Sequence, residues 1–172
     1  MTRCHAVAFA LLLPLATHAQ MAQGMDMKKP ATGSTSLVLT GLTGKTKTLS
    51  VADFKVLPHI TVQVHNAHND KDESYSGVPV KALLTMVEPA KGEGPKVSGN
   101  MQVVIAGATD NFHVAITLCD TNPDCRNGQA IVADTLDGAP LTTDGAFKLV
   151  LTEDKKPARW ARNLDSLTVK GL

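Results

Sequence analysis

The chain has 172 residues, 17 Lys plus Arg against 16 Asp plus Glu, 43% hydrophobic residues and a formal net charge of +1. A length of this order suits one domain with an adequate core. The balanced charge, with no basic stripe, excludes nucleic acid and anionic membrane surfaces as expected partners.

At the start, Arg3 precedes the apolar run Ala6 to Ala16, and Thr17-His18-Ala19 supplies a small-residue cleavage site. This is the pattern of a secretory signal over residues 1–19, and it predicts a periplasmic or secreted protein. The run is too short to span a bilayer, and no later segment is a membrane candidate. Residues 20–36 are rich in Met, Gln, Gly, Lys, Pro, Thr and Ser without apolar period, so they read as a flexible tether. Residues 37–172 form the predicted domain.

Within that domain the periodicity is mainly that of strands. Leu37 to Thr40 and Lys45 to Leu49 are two strand candidates around the turn residue Gly44. Ser50 and Asp53 form a capping box that starts a helix over Val51 to Val56, stopped before Pro58. Next, Ile60, Val62 and Val64 alternate with His59, Thr61, Gln63 and His65, as in a half-buried strand. The polar stretch after it reads as a loop. A second helix begins at Pro79, with Val80, Leu83, Leu84 and Val87 on one face. Strands are then expected over Met101 to Ala106, Phe112 to Leu118, Gln129 to Asp134, Phe147 to Thr152 and Ser166 to Lys170. Thr109-Asp110-Asn111 and Asp137-Gly138 mark turns between them. The fold class is α+β, mostly β, with short helices at the edges of a mixed sheet.

Of three cysteines, Cys4 lies in the predicted signal. Cys119 and Cys125 flank a short loop, and in an oxidising compartment they predict a disulfide. The other reading of that pair, a two-thiolate metal site, has no Cys-x-x-Cys spacing behind it.

Two polar groups carry candidate chemistry. His65-x-x-His68, followed by Asp70, Asp72 and Glu73, offers imidazole and carboxylate ligands for a metal; as a bland alternative it is a solvated turn. Lys155, Lys156, Arg159 and Arg162 concentrate positive charge that suits a phosphate or another small anion, against the alternative of a solvated edge. Trp160, the one tryptophan, packs in the core or walls a cleft beside Tyr75. No serine-hydrolase elbow and no nucleotide-binding loop occurs.

Three segments in order resemble the oxidoreductase molybdopterin-binding domain, the catalytic-domain fold of sulfite oxidase. They are Leu49-Ser-Val-Ala-Asp-Phe-Lys-Val-Leu-Pro58; Tyr75-Ser-Gly-Val-Pro-Val-Lys-Ala-Leu-Leu84; and the run from Gln129 through Asp137-Gly-Ala-Pro-Leu141 and Phe147-Lys-Leu-Val-Leu151 to Lys155-Lys-Pro-Ala-Arg-Trp-Ala-Arg162. The resemblance covers nearly all of residues 37–172. It implies a cofactor cleft between the segment from His65 to Tyr75 and the basic segment, with His65, Asn66, His68, Tyr75, Lys155, Arg159, Trp160 and Arg162 as pterin or anion contacts. In the family, a cysteine after the strand matching Ile60 to Val64 binds molybdenum. Here that stretch is His65-Asn-Ala-His-Asn-Asp70, without a thiolate, so a binding or accessory module is the leading expectation. A molybdenum-cofactor oxidoreductase without thiolate ligation and a small metal-binding protein using His65 and His68 are the alternatives.

Overall fold

The computed structural model describes residues 32–89 and 101–172. The predicted signal and most of the predicted tether lie outside the described residues. The first strands, β1 (Ser36–Thr40) and β2 (Thr46–Ser50), pair antiparallel around Gly44, whose φ of +82° is one that glycine adopts at no steric cost. The short helix α1 (Val51–Lys55) follows directly. Its predicted capping box is formed, with the Asp53 amide donating to the Ser50 hydroxyl at 3.2 Å and the Ser50 amide donating to Asp53 at 3.0 Å.

Strand β3 (Ile60–Asn66) buries Val62 and Val64 and exposes Thr61, Gln63 and His65, as the alternation requires. The segment after it departs from the expected loop. Strand β4 (Lys71–Pro79) pairs through Lys71 to Gly77 with the whole of β3, leaving only residues 67–70 as a turn, with Asp70 at φ 54°. Its buried positions include Glu73 and Tyr75, polar residues that hide a strand's apolar alternation. Helix α2 (Val80–Thr85) starts at once, with Pro79 as the capping residue rather than the first helical one; Val80, Leu83, Leu84 and Val87 are buried as predicted.

The remaining strands are β5 (Gln102–Ala108), β6 (His113–Thr117), β7 (Ala130–Leu136), β8 (Ala139–Pro140), β9 (Lys148–Leu151) and β10 (Leu164–Gly171). One sheet runs β2-β1-β10-β5-β6 and is mixed, because β1 and β10 are parallel. The other runs β3-β4-β7-β8, with β9 also on β7, and is antiparallel. Both sheets contribute to one core, Leu37, Leu39, Val104 and Leu167 from the first, Val62, Val78, Ile131 and Leu149 from the second. Each such buried aliphatic side chain contributes roughly 1.5–3 kcal/mol. The sheets are tied directly where Leu164 N–H donates to Phe147 O and Leu149 N–H donates to Ala161 O, both at 2.9 Å. Residues 156–162 therefore lie against the start of β9, which positions the site.

Candidate ligand-binding cleft

A cleft of about 710 Å³ opens at one end of the antiparallel sheet. Its walls are the β3–β4 turn (Asn66, Ala67, His68, Asn69), Glu73 and Tyr75 of β4, Leu136 at the end of β7, Thr143, Asp144 and Lys148, and Lys156, Pro157, Ala158, Trp160 and Arg162. The β3–β4 hairpin and the basic segment are distant in sequence, yet they face each other here as expected. The volume is in the range of small-molecule sites.

A chain of hydrogen bonds forms the cleft floor. Lys148 Nζ donates to Asp144 Oδ2 at 2.8 Å and to the Tyr75 hydroxyl oxygen at 2.7 Å. The Tyr75 hydroxyl donates onward to Glu73 Oε2 at 2.8 Å. Asn66 Nδ2 reaches the same oxygen at 2.9 Å, and Asn69 Nδ2 reaches Oε1 at 2.7 Å. Burial alone would raise the Glu73 carboxyl, but the hydrogen bonds from Asn69, Tyr75 and Asn66 and the Lys148 charge outweigh it and hold Glu73 below its usual range. Burial first, and then the Glu73 carboxylate, push the Tyr75 phenol upward, so it stays protonated and keeps donating.

The aromatic residues complete the floor. Lys148 Nζ sits 4.8 Å from the Tyr75 ring centroid and 5.8 Å from that of Trp160. The two rings meet edge to face with centroids 6.0 Å apart. Trp160 is 5% exposed and its indole N–H donates to Leu151 O at 3.1 Å, so it belongs to the core and to the cleft wall at once.

The structure distributes the expected site residues unevenly. Asn66, His68, Tyr75, Trp160 and Arg162 line the cleft, and so does Lys156. Arg162 is 68% exposed and lies 3.8 Å from Asp144, leaving most of its guanidinium open to solvent. Lys155 is exposed and lines no part of the cleft. Arg159, expected as the anion clamp, is turned away: its Nε donates to Asp154 at 3.0 Å, its Nη2 also bonds Asp154, and its Nη1 lies 3.7 Å from Asp120. It sits in a three-residue helical turn (Pro157–Arg159), where its neighbours Ala158 and Trp160 face the cleft and it does not.

His65 and His68 are likewise separated. His65 is on the exposed face of β3, held by Asp72 at 3.0 Å and by Asp70 at 3.4 Å. The Asp72 hydrogen bond, ahead of the opposing effect of burial, raises its imidazole above the usual value. His68 follows the turn into the cleft, its amide capped by Asn66 Oδ1 at 3.0 Å. Among the described residues no group of three His, Cys, Asp or Glu side chains has the arrangement of a metal site.

Glu73, Asp144 and Lys148 are the site residues that sequence reasoning missed as a set. Their signal was a lysine inside the otherwise apolar run Phe147-Lys-Leu-Val-Leu151. A buried lysine needs a partner.

Cys119 and Cys125 lie on the three-residue helical turn Cys119–Thr121 and the bend after it. They lie 2.6 Å apart, longer than the roughly 2.05 Å of a disulfide bond, so the expected bridge is not shown.

The two sheets and the short helices define an α+β, mostly β domain. Among solved structures, the chain is similar to the sulfane dehydrogenase SoxCD from Paracoccus pantotrophus, with a TM-score of 0.59 and 16% identity over 78% of this chain. The match spans 38% of that chain, well under half its length, and at this identity it carries the fold alone. No family model matches the chain, and no curated protein matches it.

None of the lining residues carries sulfur, and the β3–β4 turn contributes Asn66, Ala67, His68 and Asn69. Amide and imidazole do not replace a soft thiolate. The cleft therefore offers no thiolate to a metal.

Proposed function

We propose that this chain is an exported, molybdopterin-domain-like binding module, acting in the periplasm or outside the cell, whose cleft takes a pterin or another small anionic ligand without thiolate-ligated molybdenum. The observation that carries the reading is the cleft wall itself. Asn66, Ala67 and His68, which the resemblance matches to the family's metal-binding cysteine, line it together with Lys156 and Arg162. Arg162 supplies a directional charge for an anion. Asn66 and Asn69 are already oriented by Glu73, and Trp160 gives a flat apolar side. An accessory role, holding a ligand rather than transforming it, agrees with a floor whose titratable groups are paired with one another. In the oxidising compartment that export implies, Cys119 and Cys125 close a bridge.

Elemental analysis and extraction of protein purified from its native compartment test the reading. A pterin or other organic anion without molybdenum supports it. Molybdenum at near-stoichiometric occupancy supports a cofactor-dependent oxidoreductase instead.

A further inference from the structure

The cysteine loop lies outside the cleft and has a constructed environment of its own. The loop is preformed by hydrogen bonds: Asp120 Oδ2 accepts from the Thr117 amide at 2.7 Å, Asn122 O accepts from the Cys125 amide at 2.9 Å, and Asn122 Oδ1 accepts from the Asp124 amide at 3.2 Å. Lys81 of α2 anchors it by donating to Asn122 Oδ1 at 2.7 Å. Arg126 bonds Asp120 on one side and Glu153 at 2.7 Å on the other. Closing or opening a bridge between the two sulfurs thus needs little change in the backbone.

The two thiols are not equivalent. Cys125 is exposed, while Cys119 is partly covered. Asn122 Nδ2 donates towards the Cys125 sulfur at 3.9 Å. The neighbouring Cys125 sulfur raises Cys119 above its ordinary value, so Cys119 keeps its proton longer.

We propose that Cys125 is the entry thiol, and Cys119 the resolving thiol, of a dithiol that exchanges with disulfides in solution. The Cys125 thiolate attacks one sulfur of an incoming disulfide, forming a mixed disulfide and releasing one thiolate. Cys119, having given its proton to water, then attacks the Cys125 sulfur and expels the second thiolate. The pair is oxidised by two electrons to the Cys119–Cys125 bridge, and the incoming disulfide is reduced to two thiols, which take up the two protons. In an oxidising compartment the bridge is the resting form, and an external thiol opens it at the exposed Cys125.

The test uses the reduced full chain in a Cys4→Ser background with glutathione disulfide, followed by intact mass. The parent should lose two hydrogens and retain no glutathione. Cys119→Ser should accumulate one stable glutathione adduct, and Cys125→Ser should react at least about tenfold more slowly, with the difference abolished in urea. Equal rates for the two variants, or a parent that stops at the mixed disulfide, would overturn the assignment. Neither result touches the cleft, so failure here is distinct from failure of the binding reading.

Discussion

Lys148 Nζ lies 2.7 Å from the hydroxyl oxygen of Tyr75, joining two strands whose residues are 73 positions apart in the chain. This contact places the only charge on β9 beneath the cleft, with Asp144 as its counterion. The pair is nearly dry, with side-chain exposures of 8% and 12%, so removing one partner leaves the other charge buried.

Lys148→Met should therefore destabilise the fold by about 3 kcal/mol in urea unfolding. Adding Asp144→Asn should recover part of that loss, because the orphaned carboxylate is then gone. Additive losses in this double-mutant cycle would mean the two residues do not act as a pair.

Glu73 supplies a pH dependence of defined sign. Its folded carboxyl is held below the ordinary glutamate value of 4.5, so its contribution is fully present above that pH and is lost as pH falls through the lower folded value. Glu73→Gln should lower stability at neutral pH by roughly 1–3 kcal/mol and flatten the decline on acidification. Chemical unfolding across an acid pH series checks both effects. A variant as acid-sensitive as the parent would place the titrating group elsewhere.

Arg159 and Arg162 should separate cleanly. Arg162→Ala should weaken binding of an anionic ligand by about tenfold, equivalent to about 1.4 kcal/mol, with the fold intact. Arg159→Ala should leave affinity unchanged and cost about 1 kcal/mol or less of stability, since its ion pairs with Asp154 and Asp120 are partly solvated. Calorimetric titration of both variants with pterin phosphates reads the contrast.

Gly77 explains a motif that the sequence showed only as a pattern. At this position the β4–β7 register shifts between Ser76 and Gly77, and a Cβ would overlap the Val132 carbonyl oxygen and the backbone of Ala133. Gly77→Ala should cost at least about 2 kcal/mol, measurable by thermal unfolding. A neutral substitution would mean that β7 can move away, and that the close approach is not what the Gly-Val-Pro segment needs.

Elements with simple periodicity were legible from residues alone. The Ser50–Asp53 capping box, the apolar face of α2 and the alternation of β3 all report a single local rule. Strand β4 was hidden because its inward residues Glu73 and Tyr75 are polar, and only their partners across the sheet make that burial favourable. The site was half legible for the same reason. The basic segment shows charge, but not that one turn of helical geometry hands Arg159 to Asp154 and leaves Arg162 at the cleft.

Metal and pterin content of the protein isolated from its native compartment, read by elemental analysis together with fluorescence of the extracted ligand, separates a binding module from a molybdenum enzyme. The account predicts a pterin or another small organic anion, molybdenum well below stoichiometric, and loss of that ligand on Arg162→Ala. Stoichiometric molybdenum retained by the Arg162→Ala protein would contradict it.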